Sequence, residues 1–164
     1  MGFFIKLIFV TILLSVLSVS VAQEPALYTP GHGALQVFDE QGWQATPQWV
    51  QVWIGIMAMS FLAGVLFVKN HPPARWLFGG FIAGIVFSQI AFPMFNLLPL
   101  SGLVALVHIV FWSPGLYKLI RERAFLGPLN AYSIWAGWIV LVVLFSFFFD
   151  FRDAAIYLNH MLLS

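Results

Sequence analysis

The sequence predicts an all-α fold, a polytopic membrane bundle of four transmembrane helices that follows an N-terminal signal peptide. Of the 164 residues, 62% are apolar and only 8% are charged, whereas charged residues make up about a quarter of an ordinary soluble domain. The apolar residues form four long runs after residue 48, and each run is close to the ~20 residues that a helix needs to cross a bilayer. These observations exclude a water-soluble domain and predict one compact membrane bundle.

Residues 1–22 have the layout of a secretory signal peptide. A single lysine precedes an apolar core, and the small side chains at Ser20 and Ala22 are typical of a cleavage site. The sequence therefore predicts cleavage after Ala22. The alternative is a retained first span, because the same segment is nearly long enough to cross a bilayer and would give five transmembrane helices.

Residues 23–48 are predicted to form an irregular external segment, on the periplasmic side in a bacterium. The segment is mixed in polarity and rich in proline and glycine, which favours turns over regular structure. The stretch ALQVF at 34–38 is the one place where a short strand is predicted.

The four-helix transmembrane bundle is predicted to occupy residues 49–149, and an external amphipathic tail residues 150–164. Unbroken apolar runs favour helices over a transmembrane barrel, whose strands would be short and alternating. The tail is predicted to form a short helix on the membrane surface. The four predicted spans are 49–68, 76–98, 102–120 and 129–149.

The charges predict the orientation of the bundle. Basic residues lie in the first and third connections between spans, whereas most acidic residues lie in the amino-terminal segment and the tail. Under the positive-inside rule both basic connections are cytoplasmic, so the N- and C-terminal segments lie on the outer side. The expected location is a bacterial inner membrane.

Small side chains in the second span predict a helix-packing face. Gly80, Gly84 and Ser88 recur every four residues and therefore lie on one side of a helix, where another backbone can approach closely. Pro93 and Pro114 each remove a backbone donor from their spans, so polar side chains are expected near the carbonyls that they free.

His108 and Gln89 form the candidate intramembrane polar site. His108 is the one histidine inside the predicted spans, and an ionisable residue there is a candidate functional residue. Since the second and third spans are antiparallel neighbours, the structural interpretation is that His108 donates to Gln89 or to its freed carbonyl.

The sequence predicts neither a cofactor, nor a metal site, nor catalytic residues. A bis-histidine haem would need a second histidine from another copy or subunit, because His32, His71 and His160 fall outside the spans. No phosphate loop, nucleophile motif or pair of intramembrane carboxylates occurs, and there is no cysteine. The formal charge of +1 also argues against a nucleic-acid partner.

Three functional hypotheses remain open from the sequence. The first is a small integral membrane protein without catalytic machinery, an accessory or assembly component whose partners are the lipid bilayer and other membrane subunits or a second copy. The second is a small oligomeric transporter or channel, with polar side chains along its path: Gln51, Ser60, Gln89, Asn96 and His108. The third is a haem- or metal-binding membrane subunit that uses His108.

Overall fold

The computed structural model describes residues 33–163, so the predicted signal peptide lies outside the described residues. Within that range 82% of the residues are helical and no strand forms. The helices are α1 (Glu40–Ala45), α2 (Gln48–Ala63, extended to Leu66 by a 3-10 turn), α3 (Pro72–Met94), α4 (Ser101–Arg121) and α5 (Ala131–Leu163).

The helices α2 to α5 are long and apolar enough to cross a membrane. Their mean hydropathies of 1.6 to 2.1 reflect nearly continuous apolar sequence. Such a segment forms a helix in lipid because a helix satisfies every backbone N–H and C=O within the segment itself. Within residues 33–163, the prediction of an all-α bundle with four helices long and apolar enough to span a membrane is therefore confirmed.

Local signals account for where the helices begin and end. Pro72 and Pro73 occupy the first two positions of α3. Backbone N–H groups at these positions have no acceptor within the helix, so proline, which lacks an N–H, costs no helical hydrogen bond there. Asn96, after α3, and Arg123, after α4, have positive φ angles of 52° and 49°. The contacts of Gly115 with Leu77 and of Gly84 with Val107 show that α3 and α4 run antiparallel.

The bundle has two ends that differ in chemistry. We call the end that carries the α3–α4 turn (residues 95–100) the turn end, and the end that carries the connections 67–71 and 122–130 the basic end. Of the charged residues in 64–130, five are basic and one is acidic, and all of them belong to the basic end.

The predicted strand at 34–38 does not form. Residues Gly33–Leu35 make a 3-10 turn instead, and Val37 forms a single antiparallel bridge with Leu100. The ladder cannot extend because Pro99 has no N–H to donate and Ser101 already begins α4. Ala34 and Val37 are nevertheless buried, so this segment packs on the bundle and covers its turn end.

Backbone-to-backbone packing joins α3 to α4. A Cβ atom added to Gly80 would collide with the carbonyl oxygen of Phe111, and one added to Gly115 would come within 2.6 Å of the Leu77 nitrogen. Gly84, one turn along α3, is less tightly packed, because its added Cβ would lie 3.4 Å from Val107 Cγ1. Ser88 is half-buried further along the same stripe.

The tail differs from the prediction, because residues 150–163 continue α5 without a break. No proline or glycine occurs after Gly137, so nothing in the backbone ends the helix. Its 33 residues would span about 50 Å at 1.5 Å per residue. Ala154 and Tyr157 are buried, and Tyr157 lies against Gly102 at the start of α4. Tertiary packing therefore extends well past residue 149.

Candidate functional site

His108 lies inside the bundle on α4, seven residues or about 10 Å from the first residue of that helix at the turn end. Its ring stacks on Trp112, one helical turn further along, with ring centroids 4.0 Å apart and an angle of 15° between the planes. Since Trp112 is only 2% exposed, this stacking holds the imidazole against the core of the bundle.

Trp112 belongs to an aromatic layer to which all four membrane helices contribute. Phe61 of α2 lies 4.6 Å from the Trp112 ring, Phe147 of α5 lies 6.4 Å from it, and Phe81 of α3 lies 6.5 Å from it. Phe61 and Phe81 also stack on each other at 4.7 Å. The layer fills the middle of the bundle, and His108 lies on its turn-end side.

The polar neighbour of His108 is Asp150 of α5. The imidazole Nδ1 lies 3.5 Å from each of the two carboxylate oxygens, so the carboxylate faces the ring nitrogen symmetrically. Ser146, one turn earlier on α5, donates its hydroxyl to Asp150 Oδ2 at 3.0 Å. The three side chains form one connected polar cluster between α4 and α5, which we call the His108 cluster.

The surroundings of the His108 cluster contain few other charges. The His108 and Asp150 side chains are 23% and 13% exposed. The nearest charged residues along α5, Arg152 and Asp153, pair with each other at 2.9 Å. Helix α2 carries no charged residue, and the charged residues of α3 and α4 lie at the basic end. The polar partners of the Asp150 carboxylate are therefore His108 and Ser146.

The structure pairs His108 with Asp150 rather than with Gln89. The Gln89 side chain is exposed on α3, and none of the hydrogen bonds to His108 in the part of the chain that the structure describes comes from it. The sequence did not identify Asp150 as a partner of His108, because the apolar run ends just before Asp150 and this residue was therefore assigned to the external tail. The signal that could have found it is the lack of a helix-ending residue after Gly137.

The other two histidines that the structure describes, His71 and His160, are not members of the His108 cluster. His71 stacks on Tyr132 at the basic end, with centroids 3.5 Å apart, and His160 is exposed near the end of α5. His32 lies outside the described residues. Between residues 33 and 163, no group of three or more His, Asp or Glu side chains could hold a metal ion.

A second polar contact joins α2 to α5. Trp138 donates its indole N–H to the Ser60 hydroxyl at 2.8 Å, and Trp135 donates to the Ser60 carbonyl at 3.0 Å. The Ser60 hydroxyl in turn donates to the Ile56 carbonyl one turn earlier. The buried Ser60 therefore serves as an acceptor for two indoles of the neighbouring helix.

Replacing Ser60 with alanine should weaken this contact measurably. The change removes the acceptor for Trp138 but keeps the backbone acceptor for Trp135. We therefore expect the unfolding free energy to fall by between about 0.6 kcal/mol, the average for interhelical hydrogen bonds in membranes, and about 1.7 kcal/mol, their maximum. Denaturant unfolding in mild detergent measures it. Ser113→Ala is the matched control, because that hydroxyl bonds only within its own helix. An equal loss in both variants would contradict the assignment.

The geometry of the His108 cluster is compatible with two roles. The cluster can hold α4 against α5 as a contact between helices, and it can orient an imidazole whose Nδ1 faces a carboxylate. Comparison of this chain with known protein families, with curated proteins and with solved structures finds no match. The function is therefore inferred from the geometry alone.

Proposed function

We propose that this protein is an accessory or assembly component of a membrane complex and carries no catalytic chemistry of its own. The observation that supports the proposal is that polar side chains within the spans form contacts between neighbouring helices. The His108 cluster links α4 to α5, and Ser60 links α2 to α5 through two tryptophans. Groups used in this way stabilise a rigid helical body, which suits a subunit that acts by binding other subunits.

A transport path is less well supported. The aromatic layer lies across the middle of the bundle, and a water-filled path would have to pass it. The polar residues that could line such a path also lie apart. Gln51 donates to the carbonyls of Trp43 and Thr46, Gln89 and Asn96 are exposed, and Ser60 is buried.

Co-purification from native membranes tests the accessory role. A tagged full-length chain, expressed at its natural level and extracted in mild detergent, should bring down one or more other membrane proteins in stoichiometric amounts. Mass spectrometry identifies them, and an unrelated four-helix membrane protein with the same tag is the control. Recovery of the chain alone, together with solute flux in liposomes made from it, would overturn the proposal in favour of a transporter.

We further propose that the protein lies in a bacterial inner membrane with its basic end in the cytoplasm. The excess of lysine and arginine at that end supports this orientation. Alkaline-phosphatase fusions, active only outside the cytoplasm, should be active after residues 45, 100 and 164 and inactive after residues 72 and 124. An active fusion after residue 72 would invert the orientation.

A second candidate function is favoured by one observation, the position of Asp150 at His108 Nδ1. Histidines that bind a metal or haem iron usually donate their other ring N–H to a carboxylate or carbonyl. In this arrangement Nε2 is the nitrogen left for a ligand, and a partner chain would have to supply the further ligands. The optical spectrum and metal content of complexes isolated from native membranes test this candidate, with His108→Ala as the variant and His160→Ala as the control.

A further inference from the structure

An open groove of about 460 Å³ runs along the outside of the bundle between α2 and α5. Its walls are apolar and aromatic, and the hydroxyl on its floor, that of Ser60, is already engaged by Trp138 and Ile56. A Cβ atom added to Gly55 would meet nothing within 4 Å, so this part of the groove is open. The lining residues are Gly55, Ile56, Met59, Ser60, Ala63, Trp135 and Trp138.

The groove lies at the depth of one lipid leaflet. From Gly55 to Ala63 it is about 12 Å long at 1.5 Å per residue, and Ala63 lies three residues before the end of the span at Leu66. Since one leaflet contributes about half of a roughly 30 Å hydrocarbon layer, the groove covers most of the leaflet at the basic end. Its direction along α2 is that of an extended acyl chain.

The basic end, at which the groove opens, carries five basic residues and one acidic residue, Glu122, and Lys69 is the basic residue nearest to the groove along the chain. Phe67 lies 5.2 Å from Trp135, and His71 stacks on Tyr132, so the α2–α3 connection lies beside the first turns of α5. Lys69, in the middle of that connection, is exposed, and none of the ion pairs found within residues 33–163 involves it. Lys118, by comparison, lies over the ring of Trp76 at 5.4 Å.

From these observations we propose that the α2–α5 groove binds one acyl chain of an anionic phospholipid whose headgroup lies against Lys69. The apolar, aromatic walls suit the chain, and the excess of basic over acidic side chains at the basic end, with Lys69 nearest to the groove along the chain, suits a negative headgroup. The proposal goes beyond the accessory role and does not depend on it.

Lipid retention by the full-length protein tests the proposal. The protein is purified in mild detergent, incubated with an equimolar mixture of phosphatidylglycerol and phosphatidylcholine, and analysed by native mass spectrometry. We expect wild type to retain phosphatidylglycerol at least fivefold in preference to phosphatidylcholine. Gly55→Leu, which fills the groove, should lower retention of phosphatidylglycerol at least tenfold.

Two matched controls separate the groove from the general surface. Gly79→Leu adds the same side chain at an exposed, equally open position on α3 and should leave retention unchanged. Lys69→Gln should lower the preference for phosphatidylglycerol about fivefold, the equivalent of about 1 kcal/mol for one basic side chain at an anionic surface. Arg152→Gln, at the turn end, should have no effect.

Four outcomes would overturn the proposal. Equal retention of the two lipids by wild type would exclude a preference for an anionic headgroup. An unchanged preference in Lys69→Gln would show that the headgroup does not lie against Lys69. Equal losses in Gly55→Leu and Gly79→Leu would place the lipid elsewhere. A dimer that Gly55→Leu abolishes would show that a second copy of the chain occupies the groove.

Discussion

Replacing Gly80 with alanine should destabilise the bundle by about 3 kcal/mol or more, the upper range for forced overpacking of a core. The added methyl group would meet the Phe111 carbonyl oxygen, which belongs to the α4 backbone and cannot rotate away. Gly115→Ala should do the same from the other helix, because its methyl group would meet the Leu77 backbone. Thermal unfolding in detergent, followed by tryptophan fluorescence, measures both losses.

Two further glycines of α3 are the controls. Gly79, adjacent in sequence, has no atom within 4 Å of an added Cβ, so Gly79→Ala should be neutral or slightly stabilising through higher helix propensity. Gly84→Ala should be tolerated, because its nearest contact, at 3.4 Å, is the end of a valine side chain. If Gly80→Ala proves as stable as Gly79→Ala, the α3 and α4 backbones are not in contact there.

Replacing His108 with leucine should destabilise the bundle by about 2 kcal/mol. Removing one partner of a buried polar contact costs about 1 to 3 kcal/mol, and the two side chains here are 23% and 13% exposed. The cost arises because Asp150 stays between the helices without its partner on α4 and keeps only the Ser146 hydroxyl on its own helix. His108→Gln, which retains a donor, should lose only about 0.6 kcal/mol.

The double variant His108→Leu/Asp150→Leu provides the decisive comparison. Removing both polar partners leaves an apolar contact, which is often as stable as the pair that it replaces. The double variant should therefore be more stable than His108→Leu alone, by about 1 kcal/mol or more. Asp153→Asn is the control, because its pairing with the exposed Arg152 should contribute less than about 1 kcal/mol. Strict additivity of the two leucine changes would show that His108 and Asp150 do not interact.

Composition and apolar run length were sufficient to predict the four membrane helices. Helix is the conformation that satisfies the backbone of a lipid-exposed segment, so each run of about 20 apolar residues determines its own secondary structure. The predicted spans accordingly begin within four residues of the observed helices. The small-residue repeat likewise identified Gly80, which the structure places against α4.

Hydropathy could not identify Asp150 as part of the intramembrane site, because a charged residue that follows an apolar run is taken to mark the end of the span. Its pairing with His108 joins residues 42 positions apart and depends on the register in which α4 and α5 run antiparallel. The same holds for Gly115, which carries no repeat signal and matters only because α3 crosses α4 at Leu77.

The sequence by itself therefore determined which segments are membrane helices, and only the tertiary structure decided which of their side chains meet. The physical reason is the range of the forces involved. Transfer of a segment into lipid depends on the residues of that segment, whereas a side-chain contact depends on two helices whose relative rotation and register result from packing along their whole length.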